Sequence, residues 1–178
     1  RTIAPPLGKI LGTSVVVEDK PGASGQIAAA FVAKANADGY TLMLDASSYS
    51  VNPSLYPKLP YDPNKEFKTL AVLGLYPNVL LVNPSFPAKS VKDLIAMAKA
   101  KPNSIAFASS GKGSAQHLAG ALFEVQAGVE MQHIPYKGVA PAINDVLGGQ
   151  VPLAFASLPS ALNYIKAGKL QAIAISSA

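Results

Sequence analysis

Short apolar runs and longer segments with helical spacing follow one another along most of the 178-residue chain. Residues 13–19 (TSVVVED) and 40–45 (YTLMLD) have the apolar, β-branched character of buried strands. Between them lie a glycine turn, KPGASG, and a stretch with helical spacing, QIAAAFVAKANADG. Strand, glycine turn, helix and strand in this order predict a βαβ unit in a parallel sheet. The residues before this unit predict the tail of a helix that ends at Gly12.

This pattern breaks in the middle of the chain. A polar loop, ASSYS, leads into residues 51–67, which hold four prolines and predict an ordered but irregular crossing. Residues 68–84 then contain two apolar runs, split by Pro77 and Asn78, with no helix between them. We therefore expect two lobes, residues 1–77 and residues 78–178.

From residue 90 onward the alternation of helix and strand resumes. Ser90 is expected to cap the first of these helices, with Asp93 at the capping-box position. The pattern predicts helices over about 90–100, 114–126, 139–147 and 158–166, and strands over 104–109, 130–134, 151–156 and from 170 onward.

Two details of this second half are also predicted. The helix over 114–126 is expected to bury a stripe formed by Leu118, Ala121, Leu122 and Val125. The last strand is expected to be a parallel strand buried on both faces, which rarely ends a domain. Together with a first helix whose beginning is missing, it leads us to expect a fragment that lacks segments at both ends.

Composition narrows the classes of function. The chain has no cysteine, which excludes disulfides, thiolate metal sites and cysteine nucleophiles. Its net charge of +5 comes from scattered lysines without a basic block or interleaved aromatic residues, so we expect no nucleic-acid partner. No apolar run approaches the roughly 20 residues that span a bilayer. No leader segment is visible at Arg1.

Five loops follow predicted strands, and in an open α/β sheet ligands bind beyond the carboxyl ends of the strands. Four of the five are rich in serine or glycine, which lets backbone N–H groups and hydroxyls approach an anion, and each helix that follows adds partial positive charge. These loops are PGASG (21–25), DASSYS (45–50), ASSGKGS (108–114), PYKGVA (135–140) and FASLPS (155–160).

The loop ASSGKGS does not fit the known catalytic motifs. A P-loop requires Ser or Thr after the lysine, but Lys112 is followed by Gly113 and the upstream glycine is absent. No serine of the loop lies in a G-x-S-x-G nucleophile elbow. Ser114 and His117 could face each other as in a hydrolase, although no nearby carboxylate would orient the base. His117 and His133 are too far apart in sequence for a helical metal pair, and we expect neither a metal nor a cofactor.

Two interpretations of these loops remain open. Ser114 can simply cap the helix that follows, with His117 at the edge of the core, or both can bind a ligand. Lys137 in PYKG is a cation placed among the loops, and it can equally be a solvated lysine. Because several such loops occupy equivalent strand ends, a carboxylate bound by neutral donors at helix N-termini is the simplest common explanation.

Several blocks of the sequence resemble the Bug-type substrate-binding receptors of tripartite tricarboxylate transporters. The resemblance covers essentially the whole chain in the same order. The blocks are VVVEDKPGASGQIAAAFVAKANADGYTLML, NPSLYPKLPYDPNKEF, PNVLLVNPSFPAKSVKDLIAMAKAKP, SSGKGSAQHLAG, HIPYKGVAPAINDVLGGQV and LPSALNYIKAGKLQAIAISSA.

The resemblance implies an α/β fold of the type II periplasmic-binding-protein class, with two Rossmann-like lobes joined by crossing hinge strands. It implies an exported, periplasmic, monomeric receptor without catalytic activity, which closes over a small carboxylate and delivers it to membrane permease subunits. The carboxylate would be a di- or tricarboxylate, an acidic amino acid or an aromatic acid. It also implies a further strand and glycine-rich loop before Arg1 and a C-terminal return to the first lobe after Ala178. The alternatives are a hydrolase using Ser114 and His117, or a structural fragment that binds nothing.

By position, the resemblance assigns ligand-binding residues to both predicted lobes. These residues are Ser47 and Ser48 in the first lobe, and Ser109, Gly113, Ser114, His117, Tyr136, Lys137 and Gly138 in the second.

The chain departs from the family pattern at two positions. Ala156 stands where relatives often carry an aspartate, so any polar contact from that side chain is lost. Asp45 stands where a small neutral residue is common, and its carboxylate would repel an acid but suit an ammonium group. Asp45 can equally pair with a lysine and never contact the ligand.

Overall fold

The computed structural model describes residues 1–177. Along this part of the chain a short 3₁₀ turn at Ala23–Gly25 accompanies the regular elements. These are α1 (Ala4–Leu11), α2 (Gln26–Ala33), α3 (Ser48–Leu55), β1 (Asn78–Val82), α4 (Val91–Ala100), β2 (Ala106–Ser109), α5 (Ala115–Ala127), β3 (Gln132–Pro135), α6 (Val139–Leu147), β4 (Leu153–Ser157), α7 (Leu158–Lys166) and β5 (Gln171–Ile175).

The five strands form a mixed sheet in the spatial order β3-β2-β4-β1-β5. Strand β2 is parallel to both β3 and β4, whereas β1 is antiparallel to β4 and β5. The expectation of a buried parallel final strand was therefore wrong. Strand β5 pairs antiparallel with β1 at the edge of the sheet, and its residues are only partly buried or exposed.

Alternate residues of the central strands pack on opposite faces of the sheet. Leu80 and Val82 of β1 join the core beneath α4 and α5, while Val79 and Leu81 join the core beneath α6 and α7. Ala156 belongs to the second of these cores and is fully buried. The period of two along the strands therefore produces a three-layer α/β/α arrangement around a sheet that is buried on both faces.

Helix α5 is oriented differently from the predicted stripe. A Cβ on Gly120 would lie 2.4 Å from the Phe107 ring, so the glycine lets the helix backbone rest directly on that ring. This contact turns Gln116 and Gly120 inward and leaves Leu122 and Val125 exposed. The predicted stripe of Leu118, Ala121, Leu122 and Val125 was wrong because a close backbone approach at Gly120, and not the largest apolar side chains, sets the rotation of the helix.

Residues 13–19 and 40–45 form neither helix nor strand, contrary to the prediction. Neither segment pairs with a strand among residues 1–177, and apolar side chains such as Val16 and Leu44 are exposed. A β-strand is defined by hydrogen bonds to a neighbour, so an apolar run alone does not make one.

The polar loop and the start of the proline-rich crossing were also predicted wrongly. Residues 48–55 form the helix α3, with Pro53 inside it. Pro53 has no N–H, so it cannot make the helical hydrogen bond to the carbonyl four residues earlier, that of Tyr49.

Elsewhere the predicted elements are confirmed. Helices α6 and α7 have the predicted bounds, and α4 begins with the Ser90 hydroxyl accepting the Asp93 N–H. Helix α1 ends at Leu11, followed by Gly12 in the left-handed conformation. The sheet lies within residues 78–175, and the lobe boundary at residue 77 stays a prediction. Among the described helices, none is long and apolar enough to cross a membrane.

Candidate functional site

Polar residues meet at one edge of the sheet. Strands β2, β3 and β4 run parallel, so their carboxyl ends, Ser109, Pro135 and Ser157, lie at the same edge. Strand β1 begins there with Asn78 opposite Ser157. The loops after β2 and β3 and the first turn of α7 therefore lie side by side, as expected for a ligand-binding edge in an α/β sheet.

Residues 110–114, which we call the 110–114 loop, are held by hydrogen bonds of their own side chains. The Ser109 hydroxyl accepts the Gly111 N–H at 3.1 Å, and the Ser110 hydroxyl donates to Gln116 Oε1 at 2.7 Å. The Ser114 hydroxyl donates to the Gly111 carbonyl at 2.7 Å and accepts the His117 N–H at 3.2 Å. The loop is thus a fixed turn that leads into the 13-residue helix α5.

The Ser114 contacts confirm its interpretation as an N-cap. Both the donor and the acceptor function of its hydroxyl are used within the loop, and the ring of His117 accepts the Gly113 N–H at Nδ1, 3.1 Å away. Ser114 and His117 are therefore not joined as a nucleophile and a base. The N–H groups in the first turn of α5 remain without intrahelical acceptors and carry the positive end of the helix dipole.

The neighbouring 136–138 loop is anchored as well. The Tyr136 hydroxyl donates to Asp145 Oδ2 at 2.6 Å, and burial together with this bond raises the pKa of Tyr136 to about 12. Backbone N–H groups of Tyr136 and Gly138 donate to the carbonyls of Ser109 and Ser110. Lys137 itself is exposed and takes part in none of the ion pairs found in residues 1–177.

The rings of the two histidines lie against each other behind the 110–114 loop, tilted by 30°. Their ring centroids are 4.2 Å apart, and Ser109 Oγ lies 2.7 Å from His133 Nε2. Burial, the adjacent His117 ring and the Lys112 ammonium lower the pKa of His133 to about 4. Burial and Lys112 also lower the pKa of His117. Both rings are therefore neutral at pH 7. Within the described residues, no group of side chains could hold a metal ion.

A loop from the first half of the chain touches the 110–114 loop. Residues 22–25, which we call the 22–25 loop, all have positive φ, including the non-glycine residues Ala23 and Ser24. The Ser24 hydroxyl donates to the Lys112 carbonyl, and Asn52 of α3 holds the Ser24 carbonyl through its Nδ2 at 2.9 Å. Such backbone strain persists only where surrounding contacts impose it, and it is common at binding sites.

Glycine is required where α3 meets the 110–114 loop. Gly113 is buried with a φ of 80°, and a Cβ there would lie 2.6 Å from Leu55 Cδ1. Gly113 therefore packs directly against α3, and the 22–25 loop, α3 and the 110–114 loop meet at one junction.

The predicted residues of the first half are close to this junction but are differently engaged. Ser48 donates to Asp45 Oδ1 at 2.9 Å, whereas Ser47 is exposed at the start of α3 and makes no capping bond. No lysine or arginine forms an ion pair with Asp45 in residues 1–177, so the lysine partner considered for it is not found.

Sequence reasoning missed several residues of the junction. Ser24 lies in a loop that the sequence singled out, yet only the contact with Lys112, 88 residues away, shows its role. Asn52 lies in the proline-rich segment, where no motif marked it as a site residue. Gln116, which donates to Asn78 Oδ1 at 2.9 Å, links α5 to the start of β1 and had no sequence signal.

Comparison with known proteins places the chain in a family. The profile described as tripartite tricarboxylate transporter family receptor matches residues 1–178. Protein BugT of Bordetella pertussis is 41% identical over 177 residues, which are 98% of this chain and 54% of BugT. The chain spans about half the length of the curated relatives that it matches.

Solved structures agree in fold. The R. palustris protein Rpa4515, described with adipate, matches with a TM-score of 0.95 and 37% identity over 100% of this chain and 60% of its own. The periplasmic binding protein BugD matches with a TM-score of 0.87 and 37% identity over 99% of this chain and 59% of its own. The fold is that of periplasmic binding proteins, and the chain belongs to the receptor family of tripartite tricarboxylate transporters.

Proposed function

We propose that the protein is a periplasmic receptor that binds a small carboxylate where the 22–25 loop and α3 meet the 110–114 loop. The observation that carries this proposal is the junction itself, in which the Ser24 hydroxyl bonds the Lys112 carbonyl and Gly113 packs on Leu55. Adipate bound to the similar Rpa4515 supports a carboxylate as the ligand.

The chemistry of the junction favours an anion. The first turn of α5 offers a ligand the N–H groups of Ala115 and Gln116 and the positive end of the helix dipole, while the His117 N–H is taken by Ser114. Lys112 and Lys137 lie on the two adjoining loops, and both are exposed. Hydrogen bonds between a carboxylate and such donors contribute roughly 1.5–3 kcal/mol each, so a few of them suffice for micromolar binding.

The predicted binding residues divide into two groups under this proposal. Ser47, Lys137 and the exposed part of the 110–114 loop are available to a ligand. Ser48, Ser109, Ser114, His117 and Tyr136 each use a side-chain polar atom in a hydrogen bond within the protein, and their role is to hold the loops, with Gly113 and Gly138 providing the turns.

Calorimetry on the full-length protein tests the proposal. Succinate, glutarate, adipate, benzoate, citrate, aspartate and glutamate are titrated, and we expect at least one to bind with one-to-one stoichiometry. At 100 times its dissociation constant, that ligand stabilises the protein by roughly 2.7 kcal/mol in a thermal melt. Binding by none of them, with no thermal shift, would favour a chain that binds nothing.

A pair of glycine variants locates the site. Gly113→Ala and Gly128→Ala both place a side chain at positive φ at an end of α5, but only the first meets an obstacle, because the space beside Gly128 is open. We expect Gly113→Ala to weaken carboxylate binding by about tenfold or more, the equivalent of roughly 1.4 kcal/mol, with Gly128→Ala near the wild-type affinity. Equal affinities in the two variants would remove the junction from the site.

The remaining parts of the proposal concern the whole protein. It acts as a monomer without catalysis, and it delivers its ligand to membrane permease subunits, since closure on the ligand changes the surface that a permease meets. A fluorophosphonate probe is expected to leave the protein unlabelled, because Ser114 and His117 are not paired.

A further inference from the structure

One carboxylate at the junction has an unused oxygen. Asp45 Oδ1 accepts the Ala46 N–H at 2.7 Å and the Ser48 hydroxyl at 2.9 Å. Asp45 Oδ2 is buried, and no donor among residues 1–177 bonds to it. A buried carboxylate oxygen without a donor or a cation is costly, so a donor or a cation supplied by a ligand would lower this cost.

This carboxylate faces the 22–25 loop. A Cβ on Gly25 would lie 2.8 Å from Asp45 Oδ2, so the missing side chain of Gly25 lets the carboxylate reach the loop backbone. Asp45 therefore lies at the same junction as the proposed ligand and is not a solvated acid elsewhere on the surface.

A second buried acceptor lies at the same loop. Asn52 is fully buried and gives its Nδ2 to the Ser24 carbonyl, but its Oδ1 has no partner among the described residues. That oxygen faces the 110–114 loop, 3.9 Å from the position of a Cβ on Gly113. Asp45, just before α3, and Asn52, within it, thus contribute two unused acceptors to a junction otherwise rich in donors.

We propose that Asp45, assisted by Asn52, is a specificity determinant that selects carboxylates bearing an ammonium group. A plain dicarboxylate brings only acceptors, which leave Asp45 Oδ2 unpaired and add repulsion between like charges. An amino acid brings a cationic donor for Asp45 and a carboxylate for the first turn of α5. This inference rests on the proposed function, since it names the ligand class of that site.

Matched ligand pairs test it on the full-length protein. Succinate and aspartate, glutarate and glutamate, and adipate and 2-aminoadipate each share a carbon skeleton and differ by one ammonium group. For the skeleton that binds best, we expect the amino acid to bind at least about tenfold more tightly than the plain diacid. In Asp45→Asn, which keeps the shape and removes the charge, this ratio falls to about one.

A control variant and the possible outcomes distinguish a failure of the Asp45 proposal from a failure of the proposed receptor function. Asp38→Asn removes an exposed carboxylate whose Oδ1 accepts the Tyr40 N–H, and it should leave the ratio unchanged. A ratio near one in the wild type, or a ratio that survives Asp45→Asn, overturns the role of Asp45 while the carboxylate receptor stands. No binding of any diacid or amino acid overturns the receptor itself. If Asp45→Asn lowers the melting temperature, the ratio is still decisive because both ligands are measured on the same variant.

Discussion

The two halves of the described chain are built in opposite ways. Residues 78–177 bury a sheet on both faces, with Leu81, Phe107 and Leu153 fully inaccessible. Residues 1–77 contain three helices and long segments without regular structure, in which the apolar side chains are mostly exposed. Helices form from local hydrogen bonds, whereas strands need partners far along the chain, so an apolar pattern is realised as a helix in either half but as a strand only where partners are present.

The largest effect on stability is expected from replacing a leucine by alanine, and its size should differ between the two halves. Leu81→Ala removes a fully buried side chain from the central strand and should lower the free energy of unfolding by about 2–5 kcal/mol. Leu75→Ala, at a residue that is 93% exposed, should change it by less than about 0.5 kcal/mol. Urea unfolding of this chain measures both, and similar losses would contradict the contrast between the halves.

Glycine substitutions sharpen the contrast. Gly120→Ala forces a methyl group against the Phe107 ring and should cost about 1–3 kcal/mol of unfolding free energy, because overpacking shifts helix α5. Gly74→Ala in the other half meets open space and should have little effect. Chemical denaturation measures the unfolding free energy of both variants. A stable Gly120→Ala protein would show that α5 does not rest on this ring.

The smallest effect is expected at mildly acidic pH, where His133 of the second half should make stability depend on pH. The folded protein holds His133 neutral, with its pKa lowered to about 4 from an ordinary 6.5, so the unfolded chain binds more protons between these values. Stability should therefore fall as the pH drops from 6.5 towards 4. The effect is moderate because the ring is partly exposed to solvent.

The variant His133→Gln isolates this contribution. Glutamine can still bond Ser109 but cannot titrate, so the loss of stability with falling pH should become shallower. Part of the pH dependence of stability should remain in this variant, because the pKa of His117 is also lowered. Thermal melts at several pH values provide the measurement, and an unchanged slope in the variant would exclude His133 as its source.

The second half was predictable because its signals are local. Ser90 caps α4 as its spacing with Asp93 predicts, and α6 and α7 have the predicted bounds. The absence of strands from the first half could not be predicted, because residues 13–19 have the apolar pattern of a strand whether or not a partner strand is present. The rotation of α5 could not be inferred from its apolar residues, because it depends on the contact of Gly120 with a ring in β2.

The candidate site was predictable only in outline. The serine and glycine loops indicate the carboxyl edge of a sheet, and the 22–25 and 110–114 loops do meet. Which side chains are engaged within the protein depends on contacts that the sequence does not encode locally, such as Ser109 with His133 and Ser24 with Lys112. For this reason the pattern left Ser114 open between a helix cap and a ligand contact, and the fold uses its hydroxyl as a cap.

Hydrogen–deuterium exchange on the full-length protein, with and without a saturating carboxylate, tests the central claim most directly. The account predicts that the ligand slows exchange at the amides of residues 22–25 and 110–116 together, because both loops hold it. Protection confined to other segments, with these two loops unchanged, would contradict a carboxylate site at their junction.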